Sequence, residues 1–547
     1  MVCGIDAKSN ASFGRQEQPG AAAGGGGNAR SQACESSGGR GFELLPYRAM
    51  LDAHPGETAD LASSARVRPG IVAAVGAAAV LAAIAPVPVA PRAHGTLVIL
   101  VAAAGLWTTE AVPLAWTALL IPVLAVAMRV ADSRAAFAGF GDPILFLFFG
   151  TFLLTAASFD HGLNDRLARA VLHAPAVRRR PGLLLWAVAF LGCGISAWVN
   201  NTATTVILLP LALAAEHRVP RRMLVGTLLM AAYAPSLGGL ATPVGTAPNL
   251  IGLRLLQEGT GARISFAHWC AVFAPLAVVA TVLTAAYFQW MVRRGRTAPD
   301  SQAGERATGD VPRLHAAGPS DSPPRVPWSR AEKTLAPVYF LVVLLWITPG
   351  ILQATRLGAA PWFGAWSARL PETSVPLLGG LALFLLPSGK GRARILDVGV
   401  LRRIDWSTLL LFGGGLSLGG LMLETGLARA IGELLFAAMP VQGMPGIVLA
   451  STLLGIGVSE VTSNTASASL IVPIVLALAQ AAGVDPVKPA LAATVACSFG
   501  FMLPVSTPPN ALVYATGRVR IGEMVRYGVL LDLVGAVLIA AWVELVA

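Results

Sequence analysis

Two polar strings interrupt otherwise apolar stretches of the chain, Asn200-Asn201-Thr202 and Ser463-Asn464-Thr465. An Asn amide donates through its nitrogen and accepts through its oxygen, and a Thr hydroxyl does both. Such a string can therefore hold a carboxylate and offer oxygens to sodium. Further along, each is followed by a second interruption, Pro243-Val244-Gly245-Thr246-Ala247-Pro248-Asn249 and Ser506-Thr507-Pro508-Pro509-Asn510. Proline there withholds amide donors and stops a helix. Helix N-termini freed by such breaks favour anions, whereas unwound carbonyls and helix C-termini favour cations. None of the four strings contains Lys or Arg. A dianion seated among them needs compensating charge from bound cations and dipoles, which is the physical ground for expecting coupling to sodium.

A single string of this kind is ordinary capping and kinking. The duplication is what argues for a site. GDPILFLFFG (141–150) matches IDWSTLLLFG (404–413), and ISAWVNNTATTVILLP (195–210) matches VSEVTSNTASASLIVP (458–473), both at a separation of 263. SLGGLATPVGTAPN (236–249) matches SFGFMLPVSTPPN (498–510), with Asn249 and Asn510 separated by 261. One register relates two halves, a construction common in transporters.

The elements that must carry these strings are membrane helices. Of 547 residues, 55% are hydrophobic and 13% charged, against about 25% charged in soluble domains. Apolar stretches at 71–90, 97–128, 266–292, 335–348 and 527–547 approach or exceed the roughly 20 residues needed to cross a bilayer. The net charge of +11 comes from Arg-rich loops between these stretches, with no basic face interleaved with aromatics, so it reads as positive-inside bias and not as nucleic-acid binding.

Arg178-Arg179-Arg180 and Arg218, Arg221 and Arg222 flank the first string and put both its ends in the cytoplasm, so the segment is re-entrant. The second string lies between loops holding just Asp485 and Lys488, so its flanks lie outside. Threading the remaining spans gives eleven crossings, a cytoplasmic N-terminus, an external C-terminus and halves inverted relative to each other.

Residues 1–66, rich in Gly, Ala and Ser, read as a disordered cytoplasmic tail, and 297–332 as a polar cytoplasmic linker between a first half (67–296) and a second (333–547). Cys3, Cys34, Cys193, Cys270 and Cys497 form no CxxC pair and suggest neither disulfides nor zinc. Glu110 and Glu460, carboxylates near apolar runs, read as structural hydrogen-bond or helix-end groups. Arg254, five residues after Asn249, could approach an anion, but reads first as a snorkelling or interfacial side chain, and His94, His161, His217 and His268 share no ligand spacing.

In these strings and their order (WTTEAVPLAWTALLIP, NNTATTVILLP, GTAPN, SNTASASLIVP, STPPNALVYATG) the chain resembles the divalent anion/sodium symporter family of the ion transporter superfamily, over residues 70–547. The resemblance implies an all-α polytopic membrane protein with eleven transmembrane helices, two re-entrant hairpins, scaffold and transport domains, a homodimer and an elevator-like mechanism. It implies a first sodium site at Ser196, Asn200, Asn201 and Gly245 and a second at Ser459, Thr462, Asn464 and Ser506. Substrate carboxylates would meet Asn201, Thr202, Thr246, Asn464, Thr465, Thr507 and Pro508. Three positions depart from the family pattern: Asn200 replaces Ser in the first tip, Ser459 replaces Thr, and Ala247 replaces the first Pro of a PPN string.

The expected function is sodium-coupled symport of a C4 dicarboxylate such as succinate, malate or fumarate across the bacterial inner membrane. Sodium-independent exchange and carriage of sulfate, citrate or another anion are the nearest alternatives. An enzyme would need a nucleophile paired with a base, or clustered His and carboxylates, at membrane depth, and the strings offer neither. A passive channel fits paired broken segments less well than alternating access does.

Overall fold

A computed structural model of the chain describes residues 67–294 and 327–547, apart from 173, 175–176, 178–179, 181, 214–215, 217–218, 354, 390 and 440–442. The expected tail at 1–66, most of the linker at 297–332, and Arg178, Arg179, His217 and Arg218 lie outside these residues.

A long apolar chain with little charge forms helices because a helix satisfies its own backbone donors and acceptors, which lipid cannot do. Single turns aside, the first half forms α1 (Pro69–Ile84), α2 (Pro91–Thr109), α3 (Leu114–Ala127), α4 (Pro143–Asp160), α5 (Leu163–Leu172), α6 (Gly182–Ser196), α7 (Asn201–Leu213), α8 (Arg221–Gly238), α9 (Ala247–Thr260) and α10 (Phe266–Arg294). The second forms α11 (Arg330–Gln353), α12 (Pro361–Arg369), α13 (Val375–Ala382), α14 (Trp406–Glu424), α15 (Leu427–Ala438), α16 (Gly443–Val461), α17 (Asn464–Ala481), α18 (Val487–Ala496), α19 (Pro508–Ala515) and α20 (Ile521–Val546).

Among the described residues, eight helices are long and apolar enough to cross a membrane: α4, α8 with the turn that follows it, α10, α11, α14, α16, α17 and α20. The helices α6 and α7, of 15 and 13 residues, reach only about 22 and 20 Å, short of a hydrocarbon core about 30 Å thick. Their counterparts α16 and α17, of 19 and 18 residues, come close to that thickness.

From α4 and from α14 onward the elements follow one order. A carboxylate caps the first helix in each case: Asp142 Oδ1 accepts from the Ile144 amide at 2.9 Å, and Asp405 Oδ1 from the Thr408 amide at 3.0 Å. An amphipathic helix follows, α5 or α15. Next come the broken pair, a buried helix, a second break, a helix started by proline, and a long closing helix.

The helix α8 lies at the centre, with every residue from Met223 to Gly238 buried. It packs on α6, α7, α10 and α19. Across the halves the packing is crosswise: α7, which begins at the first polar string, lies on α19 of the second half, and α9 of the first half lies on α17, which begins at the second string.

Candidate functional site

Each helix pair breaks where a polar side chain supplies a better partner than the next turn would. Asn200 Oδ1 accepts from the Ala203 amide at 2.7 Å, capping α7, and Ser463 Oγ accepts from the Ala466 amide at 3.3 Å, capping α17. In the second half Thr507 Oγ1 accepts from the Asn510 amide at 3.2 Å, and Pro508 opens α19 where its missing amide costs nothing. Thr246 occupies the corresponding place before α9 in extended backbone.

Within each half, tip and break meet through matching contacts. Ser196 Oγ donates to Asn201 Oδ1 at 2.8 Å, and Ser459 Oγ to Asn464 Oδ1 at 2.8 Å. Asn249 Nδ2 donates to the carbonyls of Gly239 and Thr242, both at 2.9 Å. Asn510 Nδ2 donates to those of Gly500 and Leu503, at 2.8 and 3.0 Å. Each carboxamide thus folds its break back on itself. Two glycines admit the tips: a methyl group at Gly239 would come within 2.9 Å of Asn201 Oδ1 and 3.2 Å of the Gly245 carbonyl, and one at Gly500 within 3.1 Å of both the Ser459 carbonyl and Ser506 Cβ.

The two clusters are rich in oxygens and poor in protons. Ser196 Oγ stands near both Asn201 Oδ1 and the Val199 carbonyl (3.2 Å), and Ser459 Oγ near both Asn464 Oδ1 and the Cys497 carbonyl (2.6 Å). Ser506 Oγ stands near the Glu460 carbonyl (2.9 Å) and Glu460 Oε2 (2.7 Å). One hydroxyl proton serves two acceptors in each case. Asn249 Oδ1, Asn510 Oδ1 and Thr462 Oγ1 are buried without a hydrogen-bond partner. A surplus of buried acceptors is costly unless something positive satisfies it. Hard cations are held by such oxygen sets.

The sequence-derived residues fall as follows. Ser196, Asn201, Gly245 and Thr246 converge around Gly239, while Asn200 adjoins them as the α7 cap. Ser459, Asn464 and Ser506 converge around Gly500 and the end of α16, and Thr462 is buried in the link between α16 and α17. Thr202 and Thr465 are half-buried at the starts of α7 and α17, and Pro508 is exposed at the start of α19. The amide nitrogens of Asn201 and Asn464 have no hydrogen-bond partner among the described residues, which leaves them free to donate to an anion.

Glu460 and Arg254 tie elements together, Glu460 as the structural hydrogen-bond acceptor near a helix end that its sequence setting suggests. Glu460 accepts from the Met502 amide through Oε1 at 2.9 Å and from Ser506 through Oε2, tying α16 to the second break. The Nε of Arg254 meets Asp142 Oδ2 at 2.5 Å and its Nη2 meets Glu258 Oε1 at 3.0 Å, so α9 is joined to the cap of α4. The spacing of Arg254 and Glu258, four residues apart on one helix face, is the signal for half of that contact. His94 and His161 reach the backbone carbonyls of Ala82 and Ile395.

Paired helix breaks inside a bundle of long apolar helices are a construction found in membrane transporters. The sequence profile of the family described as Citrate transporter matches residues 104–496. The chain belongs to that family, among the divalent anion/sodium symporters of the ion transporter superfamily. It is 30% identical over 463 residues to an uncharacterized transporter of Haemophilus influenzae, covering 83% of this chain and 92% of the other. It is also 30% identical over 449 residues to the sodium-dependent dicarboxylate transporter SdcS of Staphylococcus saprophyticus, covering 79% and 82%. Two solved structures share the fold. The Neisseria gonorrhoeae efflux pump MtrF aligns with TM-score 0.52 at 14% identity over 85% of this chain and 96% of that one. The YdaH transporter of Alcanivorax borkumensis aligns with TM-score 0.50 at 16% identity over 82% and 98%.

Proposed function

We propose that the protein is a secondary active transporter that symports sodium with a C4 dicarboxylate such as succinate, malate or fumarate. The observation that carries this reading is the duplicated acceptor surplus. Ser196 with Asn201, and Ser459 with Asn464, sit at helix breaks where hydroxyl protons are fewer than the oxygens around them. Sodium at those oxygens would leave the amide nitrogens of Asn201 and Asn464 and the hydroxyls of Thr202, Thr246, Thr465 and Thr507 to face the substrate. Pro508 would shape the wall beside them. The charges of the cations and the N-termini of α7 and α17 offset a dianion where no basic side chain is present. The SdcS relatives, named sodium-dependent dicarboxylate transporters, agree with this assignment.

In this reading the α6–α7 and α16–α17 pairs are re-entrant hairpins in halves of opposite orientation. They move together as the transport domain of a homodimer, held by a scaffold domain, in an elevator-type cycle within the bacterial inner membrane. The N-terminus is cytoplasmic and the C-terminus outside. The amphipathic helices α5 and α15, each placed just before a hairpin, suit interfacial arms linking the moving unit to its frame.

The test is uptake of labelled succinate by the purified chain in proteoliposomes. A sodium gradient should stimulate uptake, replacement by choline should abolish the stimulation, and Asn464→Ala should lower uptake at least tenfold. Equal uptake in choline removes the coupling, and full transport by the Asn464 variant removes the site. A second reading, citrate as substrate, is favoured by the description of the matching family. Competition by unlabelled citrate at concentrations where malate fails to compete would establish it in place of the first.

A further inference from the structure

Three arginines gather where α8 and α20 begin and α10 ends. Arg221, Arg222, Met291, Glu523, Arg526 and Tyr527 line a cavity of about 430 Å³ there, apart from the hairpin tips and breaks. The acid in its lining is already engaged: Glu523 accepts from Arg221 Nη1 and Nη2 at 2.6 and 3.1 Å and from the Arg520 amide at 2.9 Å. Arg222 and Arg526 are exposed and make no hydrogen bond or ion pair with a described residue. The start of α8 adds to this surplus of positive charge, because no side chain caps it and its first turn holds no acid. Free amides and the positive end of a helix dipole favour an anion at such a start.

The walls of the cavity specify more than charge. The Tyr527 ring meets the rings of Tyr287 and Phe288 edge-on, at centroid distances of 6.4 and 5.9 Å, so α10 and α20 are fastened together at this level. Arg526 heads a stripe of α20 at helical spacing, in which Val529, Leu530, Leu533 and Val537 are exposed. Both α10 and α20 are long and apolar enough to cross a membrane, and Trp290, next to Met291, is exposed near the end of α10. Tryptophan near the end of a span marks the level of the lipid headgroups. A cationic cavity at that level, continued by an apolar stripe, fits a molecule with a phosphate at one end and acyl chains at the other. A free phosphate would use the arginines and gain nothing from the stripe.

We propose that this cavity binds an anionic phospholipid such as phosphatidylglycerol, its phosphate between Arg222 and Arg526 and its chains along the exposed stripe of α20. The arginine bias of the loops assigns this end of α8 to the cytoplasm, where the leaflet is anionic and basic pockets between membrane helices take such headgroups. The helix α8 runs from the cavity to the first break, and α20 rests on the second, where a methyl group at Gly528 would lie 2.5 Å from the Phe501 carbonyl. A lipid held here joins the starts of the two helices that carry both breaks. The site depends neither on the identity of the substrate nor on sodium coupling.

The experiment is binding of radiolabelled phosphatidylglycerol to the purified full chain in an uncharged detergent. Binding should saturate, and unlabelled phosphatidylglycerol should displace the label where phosphatidylcholine, glycerol phosphate and inorganic phosphate at the same concentration do not. Arg222→Gln combined with Arg526→Gln should weaken binding about thirtyfold, since one arginine near a membrane surface contributes about fivefold. Arg392→Gln, which removes an exposed arginine from the loop before α14, should bind like the unaltered protein. Displacement by phosphatidylcholine overturns the inference, because the lipid is then held by its chains alone. Displacement by glycerol phosphate or inorganic phosphate overturns it in favour of a soluble phosphate ligand. Full affinity in the double variant overturns the assignment to this cavity, and so does equal weakening by Arg392→Gln, which would make the effect one of net charge. If the double variant does not fold, photocrosslinking of the unaltered protein with a headgroup-activated phosphatidylglycerol decides: label on the peptides holding Arg222 and Arg526 supports the site, and label confined to other peptides removes it.

Discussion

Asn200 shows how one side chain can serve the fold and tune the site at once. Its Oδ1 caps α7 through the Ala203 amide, and its carbonyl accepts from Thr204 Oγ1 at 3.1 Å, while the next residue makes the bond to Ser196. Serine caps helices as well as asparagine, so Asn200→Ser should leave thermal stability within about 0.5 kcal/mol of the original. Alanine removes the cap and should cost about 1 kcal/mol. The site responds differently. A compact hydroxyl in place of an amide changes the space beside the first oxygen cluster, and the sodium concentration for half-maximal uptake should shift at least twofold in Asn200→Ser. Thermal melting together with sodium titration separates the two roles; parallel changes in both quantities would show that Asn200 acts on the fold alone.

Two chain segments, each broken by its own sequence, approach closely enough that a methyl group decides whether the element forms. A Cβ at Gly245 would stand 2.5 Å from the Gly239 carbonyl, which is backbone and cannot turn aside. Gly245→Ala should therefore destabilise the protein by about 1–3 kcal/mol, as overpacking does, and raise the sodium requirement because Gly239 also borders Asn201. Gly194, in α6, meets nothing within 4 Å, so Gly194→Ala serves as the comparison and should leave melting and transport unchanged. A Gly245 variant that melts and transports like the Gly194 variant would show that the break yields freely. Breaks, caps and the twofold recurrence of the strings are legible in the sequence because they are local: Asn200, Ser463 and Thr507 each cap a helix through the amide three residues on, whereas proline alone is no stop, since Pro210 and Pro473 lie inside α7 and α17. The partner of Arg254 is not, because it depends on which helices the packing brings together across the 112 positions between Asp142 and Arg254.

Crosswise packing binds the halves into one body at the scale of the whole molecule. The helix α9 lies on α17 and α18, and α7 on α19, so the two tips and two breaks are held by contacts that each half makes with the other. The helix α4 packs chiefly on α13, with smaller contacts to α14, α5 and α11. A residue at Gly259 of α9 would meet Leu476 of α17, a contact inside the first group, whereas Arg254 of α9 meets Asp142 at the start of α4, a contact between groups. An elevator cycle moves the first group as a unit past the second, so the inner contact should persist and the Arg254–Asp142 pair should open once per cycle. Paired cysteines test this. A crosslink between positions 259 and 476 should leave succinate uptake within about twofold of the uncrosslinked protein, and one between 142 and 254 should arrest uptake until a reductant restores it. Local gating of the hairpins within a fixed frame predicts the opposite order, because tips that open individually would strain the 259–476 link and leave 142–254 undisturbed. Which crosslink stops transport thus distinguishes movement of the whole body from movement of its parts.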